Sequence, residues 1–316
     1  MLSRTADHVY WLGRFAERAE GLARTLDVQC RLSLLPQDRN GGSKGWLGLL
    51  RALGAEEAYL ARYDEPDAQR VVDFLAYDKS NPGSIMSCLR AARDNARAVR
   101  GSISSEMWET FNATWLESRA LEPGRFSTDN VAEFVDWVKA RAHLARGVVL
   151  ASMLRDEAYH FMQIGTFLER VDSVARMLLI RLTCEQSADE AEGEGAAGDY
   201  YSWSVLLRGL SAFESFRRVS RDSVRPRHVL EFVILHPYVP RSLYRSSDLI
   251  HENLQSVANA QSGETERRAG LMHAELRYGS LDSLAPHGTA AYLSSVLLRV
   301  DDLSDRIQRD FLGHTV

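Results

Sequence analysis

Lysine is nearly absent from this chain. Of 38 basic residues in 316, only Lys44, Lys79 and Lys139 are lysine, and the rest are arginine. A GC-rich coding sequence would supply arginine codons, and arginines that make planar two-point contacts to carboxylates or phosphates would be selected because an ammonium cannot copy the fork. Composition leaves both open. Cysteine is scarce too. Cys30, Cys88 and Cys184 are odd in number and widely spaced, which fits neither a disulfide framework nor a CxxC metal knuckle and predicts buried, reduced thiols. No apolar run approaches the ~20 residues needed to cross a bilayer. The first residues, MLSRTADHVYWLGR, are charged where a secretory leader needs an apolar stretch. These absences predict a cytoplasmic protein with no membrane partner. A net charge of -5 and a pI near 6.0 give no overall attraction to nucleic acid. Catalytic signatures of the GxSxG, HExxH and Cys/His kinds are missing, and GGSKG at 41–45 lacks the GxxxxGK spacing of a phosphate-binding loop.

What the chain has is helical periodicity, with no strand alternation bounded by hairpin turns, so the predicted fold class is all-α. The first long helix is expected to start with Ser3 as its cap and to run to about Leu35, before Pro36 and a flexible loop at 37–45. Further helices are expected at about 45–62, 67–77, 82–101, 104–119, 128–152 and 156–184. The stretch EQSADEAEGEGAAGD at 185–199 holds six acids and no base, and reads as a mobile linker.

One pattern is written twice. GRFAERAEGLAR at 13–24 returns as GTFLERVDSVAR at 165–176, WLGLLRALGA from Trp46 returns from Trp203, and VVDFLAYDKSNPGS from Val71 returns as VLEFVILHPYVPRS from Val229. The offset drifts only from 152 to 158 residues, which predicts a tandem duplication. The expected architecture is a duplicated multi-helix bundle, with repeats at 1–153 and 154–316 packed as one domain about a pseudo-two-fold axis. The apolar run VLEFVILHPYVP reads as a helix because its partner is amphipathic. The helices are expected to stop before Pro82 and Pro240, each proline opening the next helix, with Asn81 as a good cap and Val239 as a poor one.

On a helical wheel Gly13, Glu17, Glu20 and Arg24 share a sector of about 60°, beside a broad apolar face, while Asp7, Arg14 and Arg18 point away on the other flank. Gly165, Glu169, Asp172 and Arg176 repeat the sector. Glu20 to Arg24 and Asp172 to Arg176 are i,i+4 pairs that contribute about 0.2 to 0.5 kcal/mol if exposed. If buried, loss of one partner costs about 3 to 5 kcal/mol, which gives duplication a reason to keep them. Two readings stay open: an ion-pair network that docks the halves, and a polar cleft in which Glu17 and Glu169 line a hydrated substrate site. In the cleft reading, Glu17→Gln and Glu169→Gln spare stability and weaken activity. The glycines are expected to serve close helix approach. Ser84 and Asn95, repeated as Ser242 and Asn253, share a helix face and are further substrate-binding candidates, with capping and a core hydrogen bond as the alternatives. Glu157 and His160 form a lone ExxH, too little for a carboxylate-bridged metal pair, and no metal or cofactor is expected.

LSRTADHVYWLGRFAERAEGLAR at 2–24 and RDEAYHFMQIGTFLERVDSVAR at 155–176, with NPGSIMSCLRAARDNARAVRGSISSEMWETFN from Asn81 and PRSLYRSSDLIHEN from Pro240, resemble the bacterial alpha-E family over essentially the whole chain. The resemblance implies partnership with circularly permuted ATP-grasp and transglutaminase-like proteins in a peptide or amide ligation system. The chain would then bind or position an amino-acid-like or peptide substrate through Glu17, Arg24, Glu169 and Arg176, or act as a non-catalytic interaction scaffold there. It departs from the family pattern at Thr166, where arginine is common, and at Val171 in place of alanine, so the two sectors are not expected to match strictly.

Overall fold

Two long helices organise the fold because each is apolar or small around most of its circumference and must be covered on several sides. α1 (Ser3–Leu32) and α8 (Glu157–Ala188) lie against each other at the centre. The computed structural model describes residues 1–34, 42–121, 131–188, 197–220 and 224–313, and among these every regular element is a helix. The others are α2 (Gly42–Ala52), α3 (Glu56–Leu60), α4 (Ala68–Ala76), α5 (Ile85–Ala98), α6 (Ser105–Ser118), α7 (Val131–Ser152), α9 (Ala197–Gly209), α10 (Phe213–Val219), α11 (Pro226–Leu235), α12 (Leu243–Ser256), α13 (Gly263–Tyr278), α14 (Leu281–Leu284) and α15 (Thr289–Phe311). Helices α5 and α7 cover α1, and α12 and α15 cover α8. No described helix is long and apolar enough to cross a membrane.

The glycines decide how closely the central pair approach. A Cβ on Gly13 would stand 2.3 Å from the carbonyl oxygen of Met162, and one on Gly165 would stand 2.2 Å from that of Tyr10. No side chain fits there, so the expected packing role of both residues is met. Trp46, Leu49, Leu50, Val71 and Phe134 fill one apolar cluster beside the C-terminal part of α1, and the larger cluster includes Trp203, Leu206, Phe216 and Val233.

Several boundaries move from their expected places. α1 begins at Ser3, but its cap is Leu2, with no side-chain bond. The segment 45–62 breaks into α2 and α3 at Gly54, whose φ of 66° lies in the left-handed region that suits glycine. Pro82 and Pro240 do not open helices. α5 and α12 start three residues later, capped by Ser84 and Ser242, which accept from the backbone N–H of Ser87 and Arg245. Asn81, expected as a cap, accepts from Gly83 N and donates to Phe74 O in the last turn of α4. VLEFVIL is helical in α11, as its partner segment suggested. The expected loop at 37–45 and linker at 185–199 fall partly outside the described residues, though Gly42–Gly45 and Glu185–Ala188 are helical.

Candidate functional site

The charges on α1 and α8 meet at the crossing of the two helices. Glu17 is 2 % exposed and receives a two-point contact from Arg170 of α8, Nε to Oε1 at 2.7 Å and Nη2 to Oε2 at 2.8 Å. In return Glu169, 3 % exposed, receives Arg18 of α1, Nε to Oε1 at 2.6 Å and Nη2 to Oε2 at 2.9 Å. Adjacent residues on a helix point about 100° apart, so a Glu-Arg dipeptide presents both partners toward a helix that crosses it closely. The glycine contact one turn earlier supplies that closeness.

Each cluster is extended by local pairs. Arg24 donates to Glu20 Oε1 from Nε at 2.9 Å and Nη2 at 2.8 Å, and its Nη1 reaches Gly209 O at 2.7 Å and Ser211 Oγ at 2.9 Å. Ser211 holds a φ of 54°, a strained setting for a residue with a Cβ, at the turn this guanidinium bridges. Arg176 likewise forks onto Asp172 at 2.7 and 2.9 Å and donates to Ala52 O at 2.5 Å. The two predicted i,i+4 pairs are therefore present, the first fully buried and the second half-buried.

Three guanidiniums in these clusters were outside the predicted sectors, and two more had been assigned outward. Arg241, just before α12, donates to Glu17 Oε1 at 2.9 Å and Glu20 Oε1 at 2.6 Å. Arg146 of α7 donates to both oxygens of Glu20 and to Glu17 Oε2 at 3.4 Å. Arg14 and Arg18 were expected to point away. Instead Arg14 is buried, donating to Glu169 Oε2 at 2.6 Å, to the Tyr10 hydroxyl and to Ser304 Oγ. The wheel failed because α1 is covered on several sides, so its second flank meets α8 and not water. Arg170 had a usable signal in the repeated Glu-Arg dipeptide. Arg146 and Arg241 had none, and where VPRS has Arg241, NPGS has Gly83.

Burial opposes the charge on Glu17, yet the fields of Arg170 and Arg241 and the hydrogen bonds of Arg170 outweigh it, holding the carboxyl below the usual range. Glu20, against Arg241, Arg146 and Arg24, and Glu169, against Arg14 and Arg18, are lowered in the same way. Arg24 moves the other way for a base. Burial and the charge of Arg241 lower it despite Glu20. Glu17 and Glu169 thus sit inside packed ion pairs, not along a hydrated cleft. The open edge of the first cluster lies at α7, where the Arg146 side chain is 32 % exposed and His143, 58 % exposed, stands 3.9 Å from Glu20.

The second predicted set is also brought together in pairs. His8 donates from Nδ1 to Asn95 Oδ1 at 2.8 Å, and His160 does the same to Asn253 at 2.8 Å. The amide orientation follows from Asn95 Nδ2 donating to Ala91 O and Asn253 Nδ2 to Leu249 O. Ser84 and Ser242 cap helices, apart from these amides. His160 is therefore engaged with asparagine, while Glu157 binds the N-terminal amine of Met1. Cys30 and Cys88 are free and buried, and burial pushes both thiols up to about 12.

An all-helical bundle pinned at its centre by two Glu-Arg dipeptides that reach across to each other is the class of protein these contacts define. The chain belongs to the Alpha-E family, described as a predicted alpha-helical domain with a conserved ER motif, whose model matches residues 1–312. It is 26 % identical over 320 aligned positions to uncharacterised proteins of Mycobacterium bovis and Mycobacterium tuberculosis, across 93 % of this chain. The alignment spans only 35 % of those relatives' length. No solved structure matches the chain.

Proposed function

We propose that this chain is the helical component of an ATP-grasp-associated peptide or amide ligation system, binding or positioning an amino-acid-like or peptide substrate and leaving ATP chemistry to a partner. One observation carries the reading: the carboxylates of Glu17, Glu20 and Glu169 are closed by guanidiniums and held below the usual carboxylate range, whereas Arg146 keeps part of its side chain in solvent. A general base needs a pKa near working pH, and these acids are displaced the other way. Arg146 and His143 form the proposed substrate-facing edge, and Glu17, Glu20 and Arg24, buried behind them, position it. Glu169, Asp172 and Arg176, with Ser84, Asn95, Ser242 and Asn253, complete the framework. A circularly permuted ATP-grasp protein and a transglutaminase-like protein are the proposed partners, in a cytoplasmic setting.

The two repeats at 1–153 and 154–316 are part of the proposal, with α1 and α8 near a pseudo-two-fold axis. Exchanged contacts support it: Glu17 with Arg170 against Glu169 with Arg18, Arg24 with Gly209 O against Arg176 with Ala52 O, and His8 with Asn95 against His160 with Asn253.

The purified chain with ATP and amino acids should release no phosphate, and release should appear only with the ATP-grasp partner and fall about tenfold in Arg146→Gln, near 1.4 kcal/mol. Robust turnover by the chain alone would overturn the assignment. The second reading is a non-catalytic scaffold, favoured by the way both Glu-Arg crossings bolt α1 to α8. It is the better one if Arg146→Gln leaves partner-dependent turnover unchanged.

A further inference from the structure

The two clusters differ in charge balance. Around Glu17 and Glu20 stand four guanidiniums, Arg24, Arg146, Arg170 and Arg241, and their ion pairs all end on those two carboxylates. The formal surplus is two positive charges. Around Glu169 and Asp172 stand Arg14, Arg18 and Arg176, with Asp301 acting on Arg176 through its field. There the ion pairs alone leave one positive charge over, half the surplus of the first cluster, and the field of Asp301 offsets it. The first cluster is also more buried, since Arg24, Arg170 and Arg241 are at most 7 % exposed. The N-terminus of α12, capped by Ser242 next to Arg241, adds a partial positive charge on the same side.

A buried positive surplus is costly because the interior screens it poorly. An anion in contact with it recovers much of that cost, and guanidinium forks match the spacing of oxyanion oxygens. The only one of the four with an appreciable solvent face is Arg146, on α7. Beside it His143 is exposed, and Gly147 faces open space, so nothing covers this side of α7.

We infer that this edge of the first cluster is an oxyanion site that takes a doubly charged phosphate group on Arg146, with Arg24, Arg170 and Arg241 behind it supplying the field and His143 at the rim. It deepens the positioning role proposed above and rests on it for the ligand's source, since a substrate held here would be phosphorylated or would bring a phosphate with it. The second cluster, already neutral, takes no anion.

Titration calorimetry of the full chain with inorganic phosphate, and separately with O-phosphoserine, tests the site without any partner. Both probes should bind, with sodium acetate at matched ionic strength at least tenfold weaker. Tighter binding of phosphoserine identifies a phosphate ester as the source, and equal binding identifies free phosphate. Arg146→Gln should weaken binding at least tenfold. Arg227→Gln, at the exposed pair with Asp282, should not. Gly147→Glu places an internal carboxylate on an open helix face and should abolish binding while leaving the fold intact, which keeps the test valid if Arg146→Gln fails to fold. Equal heats for phosphate and acetate, or unchanged phosphate binding in Gly147→Glu, would overturn the inference. Partner-dependent turnover that still needs Arg146 would then leave the positioning role standing. Phosphate binding with turnover indifferent to Arg146 would sink that role and keep the site.

Discussion

Around Glu17 the crossing dipeptide is joined by Arg146 of α7 and by Arg241 from the turn before α12, whereas around Glu169 it is joined by Arg14 from its own crossing partner and by neutral hydroxyls of Tyr10 and Ser304. The shared Glu-Arg unit does the same work in both places, tying α1 to α8. What differs is the company it keeps, and that sets the charge. Thr166, aligned with Arg14 in the repeated sequence motif, turns its hydroxyl back to Met162 O at 2.9 Å. The comparison teaches that a repeated motif can supply the clamp while its surroundings make one copy electrostatically open and the other closed.

The strongest way to break the comparison is to remove one carboxylate from each crossing. Glu17→Gln deepens an existing positive surplus and leaves Arg170 only uncharged neighbours, an amide oxygen, Pro240 O at 3.4 Å and the Phe167 ring, so it should cost about 3 to 5 kcal/mol. Glu169→Gln should cost roughly 1 to 2 kcal/mol less, because Arg18 can turn to solvent and Arg14 keeps Tyr10 and Ser304. Urea denaturation of both variants measures the order, and a larger loss at Glu169 would contradict the charge asymmetry.

A smaller effect separates packing from charge. Gly13→Ala and Gly165→Ala each drive a methyl into a facing carbonyl and should destabilise by about 1 to 3 kcal/mol, by similar amounts, since the contacts are of the same kind. Gly147→Ala meets nothing and should stabilise by roughly 0.5 to 1 kcal/mol through helix propensity. Thermal melts of the three variants suffice, and a harmless Gly13→Ala would mean that the helices are not in backbone contact.

The gentlest probe is pH. Folded Glu17, Glu20 and Glu169 lie below their ordinary values, so the unfolded chain takes up protons first as pH falls below about 4.5. Their stabilisation is complete above that point and is lost as pH drops through the folded values. Wild type should therefore lose stability more steeply than Glu169→Gln between about pH 5 and 3. Parallel curves in chemical denaturation would show that the carboxylate is not held by its arginines.

Much of the frame was legible in the residues. Period and missing strand signals pointed to helices, the glycines at 13 and 165 marked the crossing, and spacing alone paired Glu20 with Arg24 and Asp172 with Arg176. The helix starts after Pro82 and Pro240 were misplaced because serine capping at 84 and 242 outcompeted proline's preference for a first turn. The inward turn of Arg14 and Arg18 was missed because a wheel assumes one wet face, and α1 is covered on several.

Sequence by itself determined the elements and the local pairs, since these depend on residues within a turn of one another. Only the tertiary structure decided which guanidiniums close which carboxylates. Arg146 and Arg241 lie 126 and 221 residues from Glu20, and a long arginine side chain finds its partner through the crossing of helices, which no local period encodes.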